Sequence, residues 1–345
     1  MLTAMISAGF PAPPADAIDL FGPLSITFYA VCILAGAVLA VWLAGRLWQS
    51  RGGAKENVFD ATIWAVLLGF VGARLYHVVT SPDAYFGPEG DISLIPQIWN
   101  GGLSIIGAVI FGALGVWIAC RRYGIRFGAF TDVLVPGVLL AQAVGRWGNW
   151  FNQELYGAPT SLPWGLSIDT QQRHQAFATD SVRQYAEGGG LFHPTFLYES
   201  VWNLLGVAVL IWLFQRFQFK QGLLTWTYVA YYALGRFWIE SLRTDEFGKS
   251  TQFPLSDLGL EWRLNQIIMF VVFLVAVGML LWLWTKRPRT EEELAEEMRI
   301  YHPAEEKGAE EKGAETSEDA DSEEGSEDTG SEDEATEEKS SPSTS

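Results

Sequence analysis

The sequence predicts an all-α integral membrane protein: a bundle of seven transmembrane helices, with the N-terminus outside and the C-terminus in the cytoplasm. Three observations carry this. Seven mostly apolar stretches each come near the roughly 20 residues that cross a hydrocarbon core. Charge is segregated: residues 291–345 hold 22 acidic and 4 basic residues, which leaves residues 1–290 with 18 acidic and 19 basic, close to neutral. Basic residues then gather in alternate connections between the apolar stretches, the pattern of cytoplasmic loops.

Taken in order, residues 1–22 form an extracytoplasmic segment. Its first 20 residues lack Lys and Arg and include Pro11, Pro13 and Pro14, so they do not read as a secretory signal. The predicted helices run Pro23–Gly45, Val58–Val79, Leu103–Cys120, Phe127–Val144, Thr195–Phe214, Leu223–Glu240 and Leu264–Thr285. Eleven basic residues, among them Arg46, Arg51, Arg121, Arg126, Lys220 and Lys286, fall in the four connections assigned to the cytoplasm. Residues 158–192 are expected to form an outer loop or small subdomain within the transmembrane region 23–290. Residues 291–345, with E-E-K-G-A repeated at Glu305 and Glu310, read as a disordered acidic tail. With 15 Trp and 21 Phe, aromatics are plentiful enough to anchor both membrane interfaces. Cys32 and Cys120 both lie in apolar runs, which offers neither a disulfide framework nor a Cys-based metal site. No basic patch suited to nucleic acid stands out.

The chemistry concentrates in Gly145–Gly157, G-R-W-G-N-W-F-N-Q-E-L-Y-G. Gly145, Gly148 and Gly157 are expected to let the backbone turn sharply where the fourth helix meets water. An interfacial aromatic belt explains Trp147, Trp150 and Tyr156, but not an Arg, two Asn and a Glu set among them. Ionisable groups at membrane depth are costly and point to function. Further polar groups end on the same side: Arg74 with His77; the segment Trp99–Ser104 with Gly101 and Gly102; His193 to Glu199; and Tyr232, Arg236, Glu240 and Arg243 at spacings that share one helical face. Each has a local structural explanation, but one polar cavity accounts for all of them. Such a cavity suits a phospholipid, because the planar fork of Arg meets phosphate oxygens two at a time. Arg146 and Arg236 are expected to clamp a phosphodiester, with Asn149, Asn152 and Tyr232 on its polar headgroup.

These residues resemble the bacterial prolipoprotein diacylglyceryl transferases. G-R-W-G-N-W-F-N-Q-E at Gly145–Glu154 is similar to the family signature. H-P-T-F-L-Y-E at His193–Glu199, W-N-G-G-L-S at Trp99–Ser104 and the Tyr232–Arg243 face match as well. The resemblance implies an enzyme of the bacterial plasma membrane, its active site toward the extracytoplasmic side. It would move the diacylglyceryl group of phosphatidylglycerol to the lipobox cysteine of a prolipoprotein signal peptide, forming a thioether and releasing glycerol phosphate. No metal or organic cofactor is implied. The expected catalytic residues are Arg146, Glu154 and Arg236; those expected to bind substrate are Tyr29, Arg74, Gly101, Gly102, Asn149, Asn152, His193, Tyr232, Glu240 and Arg243.

One departure matters. Many family members carry His two residues after the Ser of the G-G-[LM]-S segment, and here that position is Ile106, so a histidine base is unavailable there. Glu154 is the expected orienter of Arg146 or proton acceptor, with His193 a weaker candidate. Among other classes, a retinal protein needs a Lys in its last helix, and Leu264–Thr285 has none. A multi-helix transporter for an anionic or lipid substrate is the alternative, although no internal repeat supports it. A metal-dependent headgroup enzyme would need paired aspartates, which are not seen in or beside the helices.

Overall fold

A computed structural model describes residues 9–21, 24–88, 90–171, 177, 179–243 and 262–302. Residues up to Ile300 form one unit; the second spans Tyr301–Ser345, of which only Tyr301 and His302 are described. The acidic sequence from 303 onward and most of the loop between Ser241 and Arg263 therefore lie outside the described residues.

The first unit opens with a hairpin, β1 (Ala17–Phe21) against β2 (Leu24–Thr27), before α1 (Phe28–Gln49). The strand takes the place of the predicted start of the first helix at Pro23. Thr27 ends it, its hydroxyl accepting from the Ala30 amide at 3.2 Å as an N-cap. There follow α2 (Lys55–Thr80), the short α3 (Asp83–Phe86), α4 (Ile105–Arg122) and α5 (Phe127–Phe151). The segment between α5 and α7 holds β3 (Pro159–Thr160), α6 (Asp180–Glu187) and β4 (Leu191–Phe192). The chain then runs through α7 (Thr195–Arg216), α8 (Leu223–Leu242), α9 (Leu264–Thr285) and α10 (Glu291–Met298).

Six of these helices, α1, α2, α4, α5, α7 and α9, are long and apolar enough to cross a membrane. The sixth predicted span exists as α8, at 20 residues, but is not among them; Thr225, Tyr228, Tyr232, Arg236 and Glu240 lower its apolar character. It packs against α5, α7 and α9. Large apolar side chains such as Leu34, Leu67, Ile105 and Leu281 remain exposed, as expected where lipid rather than water is the solvent. Helix pairs meet through small residues: a Cβ on Gly107 of α4 would run into the Gly72 carbonyl of α2, and one on Gly137 of α5 would lie 2.6 Å from the Ala40 carbonyl of α1. Bare glycine lets these backbones touch.

The end of the bundle remote from the glycine-rich stretch is tied by charge. Asp132 of α5, 2 % exposed, accepts from the Gly222 amide at 2.9 Å, the Thr225 amide at 2.8 Å and the Thr225 hydroxyl at 2.7 Å. It thus caps α8 from a neighbouring helix, where the left-handed Gly222 (φ 85°) offers no side chain of its own. The folded body also extends past residue 290. α10 starts with Thr290 as its cap and three glutamates in its first turn, which favours the positive end of its dipole. Glu296 pairs with Arg126, Glu297 Oε2 meets Lys220 Nζ at 3.1 Å, and Glu297 Oε1 accepts from the Gln221 amide at 2.9 Å. The beginning of the acidic region is therefore an ordered helix, because basic residues at this end supply partners that composition alone does not reveal.

Residues around 156–196 pack a small core of their own: Tyr156, Leu166, Ile168, Ala186, Phe192 and Phe196, with Phe10 laid against it. Phe10 is tied in by hydrogen bonds from its amide to the Gly165 carbonyl (2.7 Å) and from the Ser167 amide to its own carbonyl (2.9 Å).

Removing the buried cap should be costly. Asp132→Ala is expected to lower stability by about 3 kcal/mol, because two amides and a hydroxyl lose a charged acceptor. Thermal unfolding of the detergent-solubilised protein measures this, with Asp132→Asn falling between the two.

Candidate active site

The site is built on three helix ends. α5 does not stop before Gly145 but runs to Phe151, so Arg146 and Asn149 stand on its last two turns. Gly148 serves packing rather than turning: a Cβ there would lie 2.7 Å from Tyr29 Cδ2. The turn comes later, through Gln153 (φ 51°) and Leu155 (φ 57°), two non-glycine residues in the left-handed region. That conformation costs on the order of 1 kcal/mol per residue and marks a shape imposed by its surroundings. The surroundings are visible. The Gln153 side chain accepts from the Asp169 amide at 2.7 Å, and the Thr195 hydroxyl donates to the Leu155 carbonyl. Beyond the turn, the Gly157 amide donates to the His193 carbonyl at 2.9 Å and the Ala158 amide to the Leu242 carbonyl at 2.8 Å. Gly157 must be bare, since a Cβ would sit 2.7 Å from His193 Cβ and 2.8 Å from the Leu242 carbonyl.

Within this frame Glu199, on the first turns of α7, joins α5 to α8. Its Oε2 lies 2.5 Å from Arg146 Nε and its Oε1 lies 2.6 Å from Arg236 Nη1. Arg236 Nη2 meets Glu240 Oε2 at 2.8 Å, and Arg243 Nη1 shares that oxygen at 3.1 Å. Arg263 approaches Glu240 Oε1 at 3.7 Å. On the other flank Arg146 Nη1 donates to Asn149 Oδ1 at 3.2 Å, and Asn149 Nδ2 donates to Glu154 Oε1 at 2.8 Å. Asn152 Nδ2 reaches the same oxygen at 3.3 Å. Among the described residues, this network brings four guanidiniums together with three carboxylates. Glu199 and Glu240 are 5 % and 1 % exposed, where ion pairs are weakly screened by solvent.

Seven of the expected residues therefore share one connected network: Arg146, Asn149, Asn152, Glu154, Arg236, Glu240 and Arg243. Tyr29 is placed against Gly148, within electrostatic reach of Arg146 and Glu154. Tyr232, one turn before Arg236 on α8, stacks on Tyr228 with ring centroids 6.0 Å apart. His193 Nδ1 lies 3.1 Å from the Tyr198 hydroxyl, which also accepts from Trp164 Nε1 at 3.1 Å. Arg74 belongs to a separate cluster. It donates to the carbonyls of Ile95 (2.7 Å), Gly101 (2.7 Å), Gly102 (2.9 Å) and Leu94. Its guanidinium thus builds a loop in which Gly101 and Gly102 have positive φ. In the sequence Glu199, the bridge, stands only as the last letter of a motif; its signal there is a lone carboxylate one turn inside an apolar helix. Among the described residues, no group of three or more His, Cys, Asp or Glu side chains is arranged to hold a metal ion.

Arg74→Ala should free that loop. Hydrogen exchange is expected to rise across residues 94–102 while the first turns of α7 keep their protection.

The chain matches the family profile described as prolipoprotein diacylglyceryl transferase over residues 15–282. A Streptomyces coelicolor protein named phosphatidylglycerol–prolipoprotein diacylglyceryl transferase 2 is 48% identical over 273 residues, 79% of this chain and 80% of that protein. A Cutibacterium acnes protein named phosphatidylglycerol–prolipoprotein diacylglyceryl transferase is 46% identical over 84% of this chain and 92% of its own. The one from Streptomyces griseus is 45% identical over 88% and 86%. With most of its helical body matched in this way, the chain belongs to the prolipoprotein diacylglyceryl transferase family.

Proposed function

We propose that the chain transfers the diacylglyceryl group of phosphatidylglycerol to the lipobox cysteine thiol of a prolipoprotein signal peptide, the first step of lipoprotein maturation. The observation that carries this reading is the pair of arginines held by the two oxygens of one carboxylate. Arg146 and Arg236 are fixed at a set spacing by Glu199, so that two planar forks stand ready for phosphate oxygens. The names of the relatives supply the two substrates.

In this reading α8 is the seventh span, its polar residues turned toward neighbouring helices. The basic end lies in the cytoplasm of a bacterial inner membrane, and the Arg146–Glu199–Arg236 end faces outward. The lipid phosphate sits against the two guanidiniums while the acyl chains stay in the bilayer. The cysteine attacks as thiolate, because the thiol is a poor nucleophile, and the positive field of the arginines favours the ionised form. The sulfur–carbon bond forms at the glycerol carbon as its bond to the phosphate oxygen breaks. That electron pair leaves with glycerol phosphate, whose growing charge the arginines meet. The thiol proton goes to a carboxylate of the network. Glu154, whose Oε1 is held by the side-chain amides of Asn149 and Asn152, is assigned as the acceptor and, through Asn149, as orienter of Arg146. The family assignment leaves the transporter reading without support.

Purified protein, phosphatidylglycerol and a lipobox peptide test the reading through release of glycerol phosphate. Arg146→Lys, which keeps the charge but loses the fork, is expected to lower turnover about 100-fold. Near-normal turnover in that variant would overturn the clamp. Glu199→Gln keeps the shape but leaves one oxygen-type acceptor for two guanidiniums, and should lower kcat by roughly 10- to 100-fold.

A further inference from the structure

The arginine pair is the outer rung of a polar seam along α5 and α8. The two helices run the same way: Asp132 meets Thr225 near their beginnings, and Arg146 and Arg236 meet through Glu199 near their ends. Between these rungs Gln142 of α5 bonds Tyr228 of α8, Nε2 to the phenolic oxygen at 3.0 Å, and Tyr232 stacks over Tyr228. Gln142 stands four residues before Arg146, about 6 Å deeper along the helix.

The other end of the Gln142 amide, its Oε1, is buried and has no hydrogen-bond partner. Turning the amide over keeps a bond to Tyr228, now with the hydroxyl as donor, and puts the NH2 group at the unpartnered position. In either setting one end of the amide is anchored and the other lacks a partner, which buried polar groups rarely tolerate. Gln142, Tyr228 and Tyr232 are each half-buried, so the rung borders accessible space.

A diacyl phospholipid whose phosphate is held by Arg146 and Arg236 carries its ester carbonyls a few covalent bonds further toward the acyl chains. That is the direction in which Gln142 lies. We propose that Gln142, steadied by Tyr228, donates a hydrogen bond to an ester carbonyl of the lipid, and so selects diacyl over dialkyl-ether donors. This rests on the transferase reading above. It adds a specificity-determining contact one helical turn below the phosphate clamp, apart from the groups that meet the reacting atoms.

The test compares kcat/KM for diacyl phosphatidylglycerol with that for its dialkyl-ether analogue, using the full chain and a lipobox peptide. The native protein is expected to prefer the diacyl donor by about 10-fold, the size of one well-placed neutral hydrogen bond. Gln142→Leu should lose that preference, because the diacyl rate falls while the ether rate stays within about 2-fold. Tyr228→Phe keeps the ring but drops the anchoring hydroxyl, should show a smaller preference, and carries the test if Gln142→Leu does not fold. A native protein without preference, or variants in which both donors slow equally, would overturn the inference. A native protein that releases no glycerol phosphate from phosphatidylglycerol would instead remove the transferase reading.

Discussion

One carboxylate facing two guanidiniums organises one end of this bundle. Glu199 is almost wholly buried, and an isolated charge there would cost several kcal/mol; Arg146 and Arg236 make it tolerable, and it makes them tolerable. Because the three residues stand on α5, α7 and α8, the interaction also sets how those helices meet. Mutual dependence of this kind suits phosphate chemistry. The arginines are held in place before a ligand arrives, so little reorganisation is left for the reacting state.

The rest of the polar structure follows along the same seam. Asp132 at one end of α5 caps α8, and Arg146 at the other end reaches α8 through Glu199. These contacts give α8 a place in the bundle although its composition is less apolar than that of the six clear spans. Apolar burial cannot distinguish one helix neighbour from another in lipid, so polar bonds and glycine contacts decide which helices pair.

Much of this was legible in the sequence, and the misses have physical causes. The limits of α9 match the predicted span to the residue, because no charged residue interrupts Leu264–Thr285 while Arg263 and Lys286 flank it. α5 was read short because Gly145 and Gly148 suggest a turn; tertiary contact with α1 uses their bareness for packing instead, and the left-handed positions fall on Gln153 and Leu155. The hairpin before α1 was missed because Leu24–Thr27 is as apolar as a helix start. Seven of the expected residues share one network, and they are conspicuous in the sequence because charged and polar groups are expensive beside lipid. Glu199 was undervalued because a single carboxylate has no periodicity to announce it. Arg74 was conspicuous for the same reason as Arg146, yet its donors go to backbone carbonyls, a distinction visible only once the loop 94–102 is folded.

The acidic helix α10 touches the opposite end, through Arg126, Lys220 and Gln221. In translation it emerges after every helix it binds. While the earlier segments are being inserted, those basic side chains are still bare and, in the proposed orientation, free to hold their loops on the inner side of the membrane. Their neutralisation by glutamate comes only when topology has been decided, so one set of cations serves first as an address and afterwards as an anchor.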